Sequence, residues 1–317
     1  MLSRTAENLF WMGRYIERAE TMGRLMQVGA RMNLLPDAVG GYRSEWEAIL
    51  QATGTMAAFT EKYGEPVERN AISHLFFDYD NPSSVASCLR TARENARIVR
   101  TALSGQVWNA LNGAYQELRA IERRPRSEFD INEMGEWIAN HVALVNGGIG
   151  TTQLRSDGFD FINLGINLER ADNTARFIDV KYYVLLPDAA YVGTGLDNFQ
   201  WQTLLRGMQM HRAFHWAYGG EVSPSKIVDL LILNPACPRS LRTALHGTMH
   251  HLDHIARAYG TSTAAQSQSR ALLGELMELQ ISDIFDEGLH EFLTRFNGRV
   301  AMLGTTIRRA YLLGVAA

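Results

Sequence analysis

Apolar residues recur along the chain with the 3.6-residue period of an amphipathic α-helix, not with the two-residue alternation of a strand. The segments that carry this period are rich in Ala, Leu, Met, Glu, Arg and Gln, and they lack alternating Val, Ile and Thr. This pattern predicts an all-α fold, a helical bundle with about six helices in each half of the chain.

Local signals predict where these helices begin and end. Asn-Pro at 81–82 and again at 234–235 predicts helix starts, because Asn caps a helix and Pro is tolerated at its first position. The connections at 123–128 and 185–195 are short to moderate, which favours antiparallel neighbours in one compact body. Four glycines are predicted helix ends, namely Gly64, Gly105, Gly219 and Gly260.

The second half of the sequence repeats features of the first half in the same order. The clearest match joins YIERAE at 15–20 to NLERAD at 167–172, and four further matches follow at similar offsets. These matches predict a tandem duplication of a unit of about 150 residues. We expect one domain, 1–317, in which repeats 1–150 and 151–317 are related by pseudo-twofold symmetry. Two independent domains are the less favoured alternative.

Each copy of this signature places a glutamate beside apolar side chains on its helix. On a helical wheel Phe10 lies on the side of Glu17, and Ile162 lies on the side of Glu169. Both carboxylates are therefore expected to be at least half buried. A buried carboxylate needs a paired cation or several hydrogen-bond donors, because leaving it alone is costly.

Nearby arginines supply candidate partners for these acidic residues. Arg24 and Arg176 lie on the faces of the two signature glutamates, and Glu20–Arg24 and Asp172–Arg176 have the i,i+4 spacing of intrahelical ion pairs. One interpretation is a set of structural ion pairs between neighbouring helices. The other is a polar site at the pseudo-twofold axis, where both sets of Glu and Arg converge on a ligand.

Arg90, Arg93, Arg97 and Arg100 form a stripe on one side of a further predicted helix. In the second half only the position that matches Arg90 is also an arginine, Arg242. The stripe is either a solvated helix face or a cradle for an anion, since guanidinium groups fit phosphate and carboxylate well.

A second stripe consists of His246, His250 and His254, with Asp253 nearby, a spacing that can bind a metal ion. The three histidines lie on the polar side of their helix, and Gly247 stands where a His-Glu-x-x-His motif needs its glutamate. We therefore favour a hydrated helix face, and we predict neither a metal site nor a cofactor.

Composition narrows the class of protein. The 317 residues are 46% hydrophobic and 21% charged, which is enough to build a packed core, and the net charge of −3 gives no overall attraction to nucleic acid or anionic lipid. The two cysteines, Cys88 and Cys237, are too few for a disulfide framework and are expected to be packing thiols. With no apolar run typical of a membrane span or signal peptide, we expect a soluble cytoplasmic protein that binds neither nucleic acid nor membrane.

Three segments together resemble a known family. MLSRTAENLFWMGRYIERAE, NPSSVASCLRTARENARIVR and LGINLERADNTARFIDVKYY are similar to the alpha-E family, all-helical bacterial proteins with a Glu-Arg motif. The resemblance carries the signature over to Glu17, Arg18, Glu169 and Arg170, the candidate catalytic residues if the chain is an enzyme. Members of the family are typically encoded beside a circularly permuted ATP-grasp protein and a transglutaminase-like protein. The resemblance thus implies a role in an ATP-dependent system that forms amide or peptide bonds.

Three functions remain open at this stage. The favoured one is an accessory or substrate-binding subunit that works with the ATP-grasp protein and holds an acidic or peptide substrate. Its candidate ligand-binding residues are Arg24, Arg90, Arg93, Arg97 and Arg176. The second is an enzyme that uses the signature glutamates as acid/base or metal-binding groups, and the third is a protein-binding scaffold with exposed Trp and Tyr anchors at 201–218.

Overall fold

The computed structural model describes residues 1–32, 45–184 and 195–313, and within these ranges the chain is helical without any β-strand. The predicted all-α fold is confirmed, whereas the connection predicted at 185–195 lies almost entirely outside the described residues. Numbered in chain order, the α-helices of the described residues are α1 Ser3–Met32, α2 Glu45–Ala52, α3 Met56–Tyr63, α4 Glu68–Ile72, α5 Val85–Ile98, α6 Gly105–Ile121, α7 Ile131–Thr152, α8 Asp157–Tyr183, α9 Gly195–Gly207, α10 His211–Tyr218, α11 Pro224–Ile232, α12 Leu241–Tyr259, α13 Ala264–Glu278, α14 Ile281–Glu287 and α15 Leu289–Ile307.

Short helical pieces of other types extend or join these helices. A π-helical turn at Ser73–Phe77 continues α4, and another at Arg308–Leu312 continues α15. Single 3₁₀ turns lie at Arg100–Ala102 and Arg126–Glu128. The described residues hold more helices per half than the predicted six, because helices as short as the 5-residue α4 show no measurable period.

Two long helices, α1 and α8, form the centre of the fold. α1 packs against α5, α7 and α8, while α8 also contacts α2, α12 and α15. Both helices have buried residues around most of their circumference, which is typical of helices at the centre of a bundle. The core is therefore shared by helices from the two halves of the chain.

The two central helices touch backbone to backbone where Gly13 of α1 meets Gly165 of α8. A Cβ atom on Gly13 would overlap the carbonyl oxygen of Ile162, and one on Gly165 would overlap that of Phe10. Only glycine permits so close an approach, because it has no side chain at that place. One helical turn beyond each glycine lies the glutamate of the signature, which is thereby brought against the opposite helix.

Three of the four predicted helix-ending glycines are confirmed. Gly64, Gly219 and Gly260 follow α3, α10 and α12 with positive φ, a conformation that favours glycine. The prediction for Gly105 is wrong, since this residue begins α6 directly after the capping residue Ser104.

The Asn-Pro pairs precede their helices instead of starting them, which corrects a second prediction. The side chains of Asn81 and Asn234 accept hydrogen bonds from the backbone amides two residues later, at 3.0 and 2.9 Å. Each asparagine thus forms a local turn, a conformation in which its side chain competes with the helix for backbone donors. The actual N-caps are Ser84 for α5 and Ser240 for α12.

Candidate functional site

The Glu-Arg signatures lie at the contact between α1 and α8, in the interior of the fold. Glu17 is 1% exposed and Glu169 is 0% exposed, which confirms the expectation that both are buried. Each glutamate is buried because its own turn of the helix faces the neighbouring helices of the bundle.

The ion pairs of the signature cross between the helices reciprocally. Arg170 donates two hydrogen bonds to Glu17, from Nε to Oε1 at 2.8 Å and from Nη2 to Oε2 at 2.7 Å. Arg18 donates two to Glu169, from Nε at 2.6 Å and from Nη2 at 3.1 Å. Each Glu-Arg dipeptide therefore neutralises the other, in the paired fork geometry that strengthens Arg–carboxylate contacts.

Further arginines complete the cluster. Arg14 donates to Glu169 at 2.6 Å, so that this carboxylate has two guanidinium partners. Arg239, in the segment before α12, donates to Glu20 at 2.7 Å, and its Nη1 lies 3.6 Å from Glu17. The site thus joins α1 to α8 and to the start of α12.

The two predicted intrahelical pairs are present in the structure. Arg24 donates to Glu20 from Nε at 2.9 Å, and Arg176 donates to Asp172 from Nε at 2.8 Å. Each arginine also donates to a backbone carbonyl of another helix, Arg24 to Gly207 at 3.2 Å and Arg176 to Ala52 at 3.3 Å. These contacts occupy donors that a ligand would need. They also show that Arg24 and Arg176 serve Glu20 and Asp172, while the signature glutamates take their cations from the opposite helix.

Electrostatic interactions keep the carboxyl group of Glu169 ionised. Burial alone would raise the pKa of Glu169, but the adjacent Arg14 and Arg18 outweigh it and lower that pKa to about 2. The same ion pair raises the pKa of Arg18 above its ordinary value, against the effect of burial. A carboxylate with so low a pKa stays charged at neutral pH, which suits an ion pair better than proton transfer.

The arginine stripe lies on α5 and the turn after it, beside aromatic rings of α6 and of the segment before α5. The guanidinium carbon of Arg90 is 4.3 Å from the ring centre of Tyr79, and that of Arg93 is 4.9 Å from Tyr115. Arg100 lies 5.2 Å from the ring centre of Trp108. Three guanidinium groups of the stripe thus lie over aromatic rings, which limits their freedom.

One acidic residue lies within this stripe. Glu94 accepts from Arg93 and Arg97, both at 2.7 Å. Arg93 also donates to Asn112 at 2.9 Å and is mostly covered, whereas the Arg97 side chain remains 60% exposed. Arg90 and Arg100 are exposed as well.

The histidine stripe of α12 faces solvent as predicted. His246 and His250 are exposed, and the His254 side chain is 39% exposed. Within the described ranges no three His, Cys, Asp or Glu side chains form a group that could hold a metal ion. A further histidine of α12, His251, is not part of the stripe and is buried. Its Nδ1 lies 2.8 Å from Oδ1 of Asp160 on α8.

Both cysteines are buried, as packing thiols are. Burial raises the pKa of Cys88 to about 12 and also raises that of Cys237.

Aromatic anchors for a protein partner were predicted at 201–218. The prediction is wrong for Trp201, which is 5% exposed, whereas Trp216 is 93% exposed. None of the helices in the part of the chain that the structure describes has the length and apolar content needed to cross a membrane.

Sequence reasoning missed two members of the charge cluster, Arg14 and Arg239. The helical wheel places Arg14 on the same side as Glu17, but it cannot show that Arg14 serves Glu169, because that contact crosses 155 positions. Arg239 follows the Asn234 turn, and no local pattern connects it to α1. Only the packing of the segment before α12 against α1 brings it to Glu20.

A family model described as a predicted alpha-helical domain with a conserved ER motif matches residues 1–312. The chain belongs to the Alpha-E family. Glu17–Arg18 and Glu169–Arg170, which pair across the two central helices, are dipeptides of the type named in that description.

Similar proteins occur in mycobacteria. The chain is 27% identical over 276 residues to an uncharacterised protein of Mycobacterium bovis and to one of Mycobacterium tuberculosis, and 26% identical to another from M. tuberculosis. These matches cover 82% of this chain but 30% of each relative, so the chain spans less than a third of the length of the relatives it matches. No solved structure matches the chain.

Proposed function

We propose that this chain is a cytoplasmic binding subunit of an ATP-grasp-dependent system that forms amide or peptide bonds. In this role it holds an acidic or peptide substrate for a circularly permuted ATP-grasp protein, with a transglutaminase-like protein as a second partner. Membership of the Alpha-E family supports the proposal, since such neighbours are what the family resemblance implies.

The observation that carries the binding role is the arginine face of α5. Arg90 and Arg100 are exposed, lie over aromatic rings, and have no carboxylate partner among the described residues. The ring contact restrains each guanidinium group while its exposure keeps N–H donors open to an anion, so less side-chain entropy is lost when an anion binds. Carboxylates of an acidic peptide fit such edges in the two-bond geometry.

The signature residues have a different role in this proposal. Glu17, Arg18, Glu169 and Arg170 lock α1 to α8 and thereby position α5, which packs against α1. The low pKa of Glu169 favours this structural role over acid/base catalysis.

We also propose that the two halves of the bundle, 1–150 and 151–317, descend from a tandem duplication within one domain. The reciprocal Glu-Arg pairs support it, as do the facing glycines of α1 and α8 and the serine caps at Ser84 and Ser240. Superposition of the two halves in an experimental structure tests this. Unrelated helix orders in the two halves would contradict it.

Binding of a short poly-glutamate peptide to the full chain tests the arginine face directly. We expect Arg90→Ala to weaken binding by about tenfold, which corresponds to about 1.4 kcal/mol. Arg90→Lys keeps the charge but loses the planar fork, and we expect it to restore little of the affinity. Arg206→Ala, which removes an exposed arginine of α9, serves as the matched control and should leave binding unchanged.

A poly-glutamine peptide of the same length controls for the peptide backbone. Equal binding of the two peptides, or equal weakening by Arg90→Ala and Arg206→Ala, would rule out the arginine face as the binding surface. The partnership is tested separately by incubating the purified chain and the ATP-grasp protein with ATP and amino acids. Formation of a new amide, detected by mass, supports it, whereas unchanged ATP turnover and no product would exclude it.

A further inference from the structure

The part of the charge cluster around Glu17 contains more cations than anions. Three guanidinium groups, those of Arg24, Arg170 and Arg239, form ion pairs with only two carboxylates among the described residues, Glu17 and Glu20. These side chains are between 1% and 21% exposed. The cluster therefore carries one uncompensated positive charge in a region from which water is largely excluded, and such a charge is costly unless an anion neutralises it.

A small cavity lies at this cluster. It has a volume of about 10 Å³, and the three guanidinium groups and Glu17 line it together with Asn173. This is the space open to the centre of a water-sized sphere, so the void itself is larger than one water. A single water or a monatomic ion fits, whereas phosphate, sulfate or a carboxylate-bearing molecule is too large.

Several hydrogen-bond donors that line the cavity have no acceptor. Asn173 is 5% exposed, and its Nδ2 has no hydrogen-bond partner in the described part of the chain. Arg170 uses Nε and Nη2 for Glu17, which leaves its Nη1 without a bond, and Arg239 Nη1 is too far from Glu17, at 3.6 Å, for a normal hydrogen bond. A cation is excluded by the sign of these groups.

We propose that this cavity binds a chloride ion, held by Asn173 Nδ2 and by the guanidinium groups of Arg170 and Arg239. A monatomic anion satisfies the size of the cavity, the unpartnered amide donor and the excess charge together, whereas water satisfies only the first two. Arg170 and Arg239 remain 21% and 17% exposed, which gives the ion a route from solvent. The crowding of cations agrees with this assignment, because burial lowers the pKa of Arg24 and the nearby Arg239 lowers it further.

The ion would join two elements, α8 and the segment before α12. Because chloride would bind the folded chain only, it would stabilise the fold by RT ln(1 + [Cl⁻]/Kd), which grows as chloride is added. The site is separate from the arginine face of α5, and its existence does not depend on the proposed binding function.

Thermal unfolding of the full chain at constant ionic strength, with chloride exchanged for gluconate, tests the site. We expect the wild-type Tm to rise by about 2 °C as chloride replaces the bulky anion, with a rise that follows the logarithm of the chloride concentration once the site is filled. Asn173→Asp places a carboxylate where the chloride would lie, and we expect it to raise Tm in gluconate and to abolish the chloride dependence. Asn163→Asp, an equal change on α8 outside the cluster, should keep the chloride dependence of the wild type.

Crystals grown in bromide give the position of the ion independently of stability. An anomalous peak in the cavity beside Asn173, absent from Asn173→Asp crystals, would support the proposal. A water without anomalous signal in the cavity would overturn it, as would identical Tm values of the wild type in chloride and gluconate. Equal chloride dependence in Asn173→Asp and the wild type would place the ion elsewhere and would also overturn it.

Discussion

The Glu17–Arg170 ion pair should be costly to break because both side chains are largely buried. Glu17→Gln leaves Arg170 inside the fold without its counter-charge, and Arg170→Met leaves Glu17 with only the more distant Arg239. Removing one partner of a buried ion pair costs about 3–5 kcal/mol, because the remaining charge loses its hydrogen-bonded counter-ion at a place with little access to water. A typical domain has a free energy of unfolding of about 5–15 kcal/mol, so this loss is a large fraction of its stability.

The two changes together should cost much less than the sum of the single changes. The double variant removes both charges at once, so we expect a coupling free energy of about 2–3 kcal/mol in a double-mutant cycle. Urea unfolding followed by far-ultraviolet circular dichroism measures each free energy of unfolding by linear extrapolation.

The chain supplies a matched control with the same bond geometry. Arg295 donates to Glu287 from Nε and Nη2, both at 2.7 Å, but these side chains are 41% and 32% exposed. Since exposed pairs contribute about 0.2–1 kcal/mol, the cycle with Glu287→Gln and Arg295→Met should show a coupling in that range. Equal coupling free energies at the two sites would refute the claim that burial makes the signature ion pairs strongly stabilising. A loss of less than about 1 kcal/mol of unfolding free energy in Glu17→Gln would refute it as well.

Three further predictions concern single residues. Gly165→Ala should destabilise the fold by about 1–3 kcal/mol because its methyl group would overlap a carbonyl of α1, whereas Gly113→Ala in α6 has open space and should be neutral or slightly stabilising in the same urea assay. Glu169 has a folded-state pKa of about 2 against an ordinary 4.5, so its contribution of about 3 kcal/mol is present above pH 4.5 and lost as the pH falls toward 2. Urea unfolding across this range should show that loss in the wild type but not in Glu169→Gln, and parallel pH profiles would contradict it. Cys88 and Cys237 should not react with a thiol reagent such as dithionitrobenzoate until the chain is unfolded, and rapid labelling of the native protein would show that they are accessible.

Local periodicity determined those features of the protein that depend on neighbours within about one or two helical turns. The all-α class, the burial of both signature glutamates and the i,i+4 pairs Glu20–Arg24 and Asp172–Arg176 follow from which side chains share a helix face. The wrong helix starts at the Asn-Pro pairs and the wrong helix end at Gly105 have the same origin. A turn, a cap and a first helical position use overlapping sets of residues, and only the backbone path separates them.

The tertiary structure alone decided which charges meet. Glu17 takes its cation from Arg170 and Glu169 from Arg18 and Arg14, because the facing glycines of α1 and α8 bring the helices into backbone contact one turn earlier. No period in the sequence encodes a contact between side chains some 150 positions apart. The same packing brings Arg239 to Glu20 and creates the excess of positive charge there, since Coulomb interactions depend on distance in space and not along the chain.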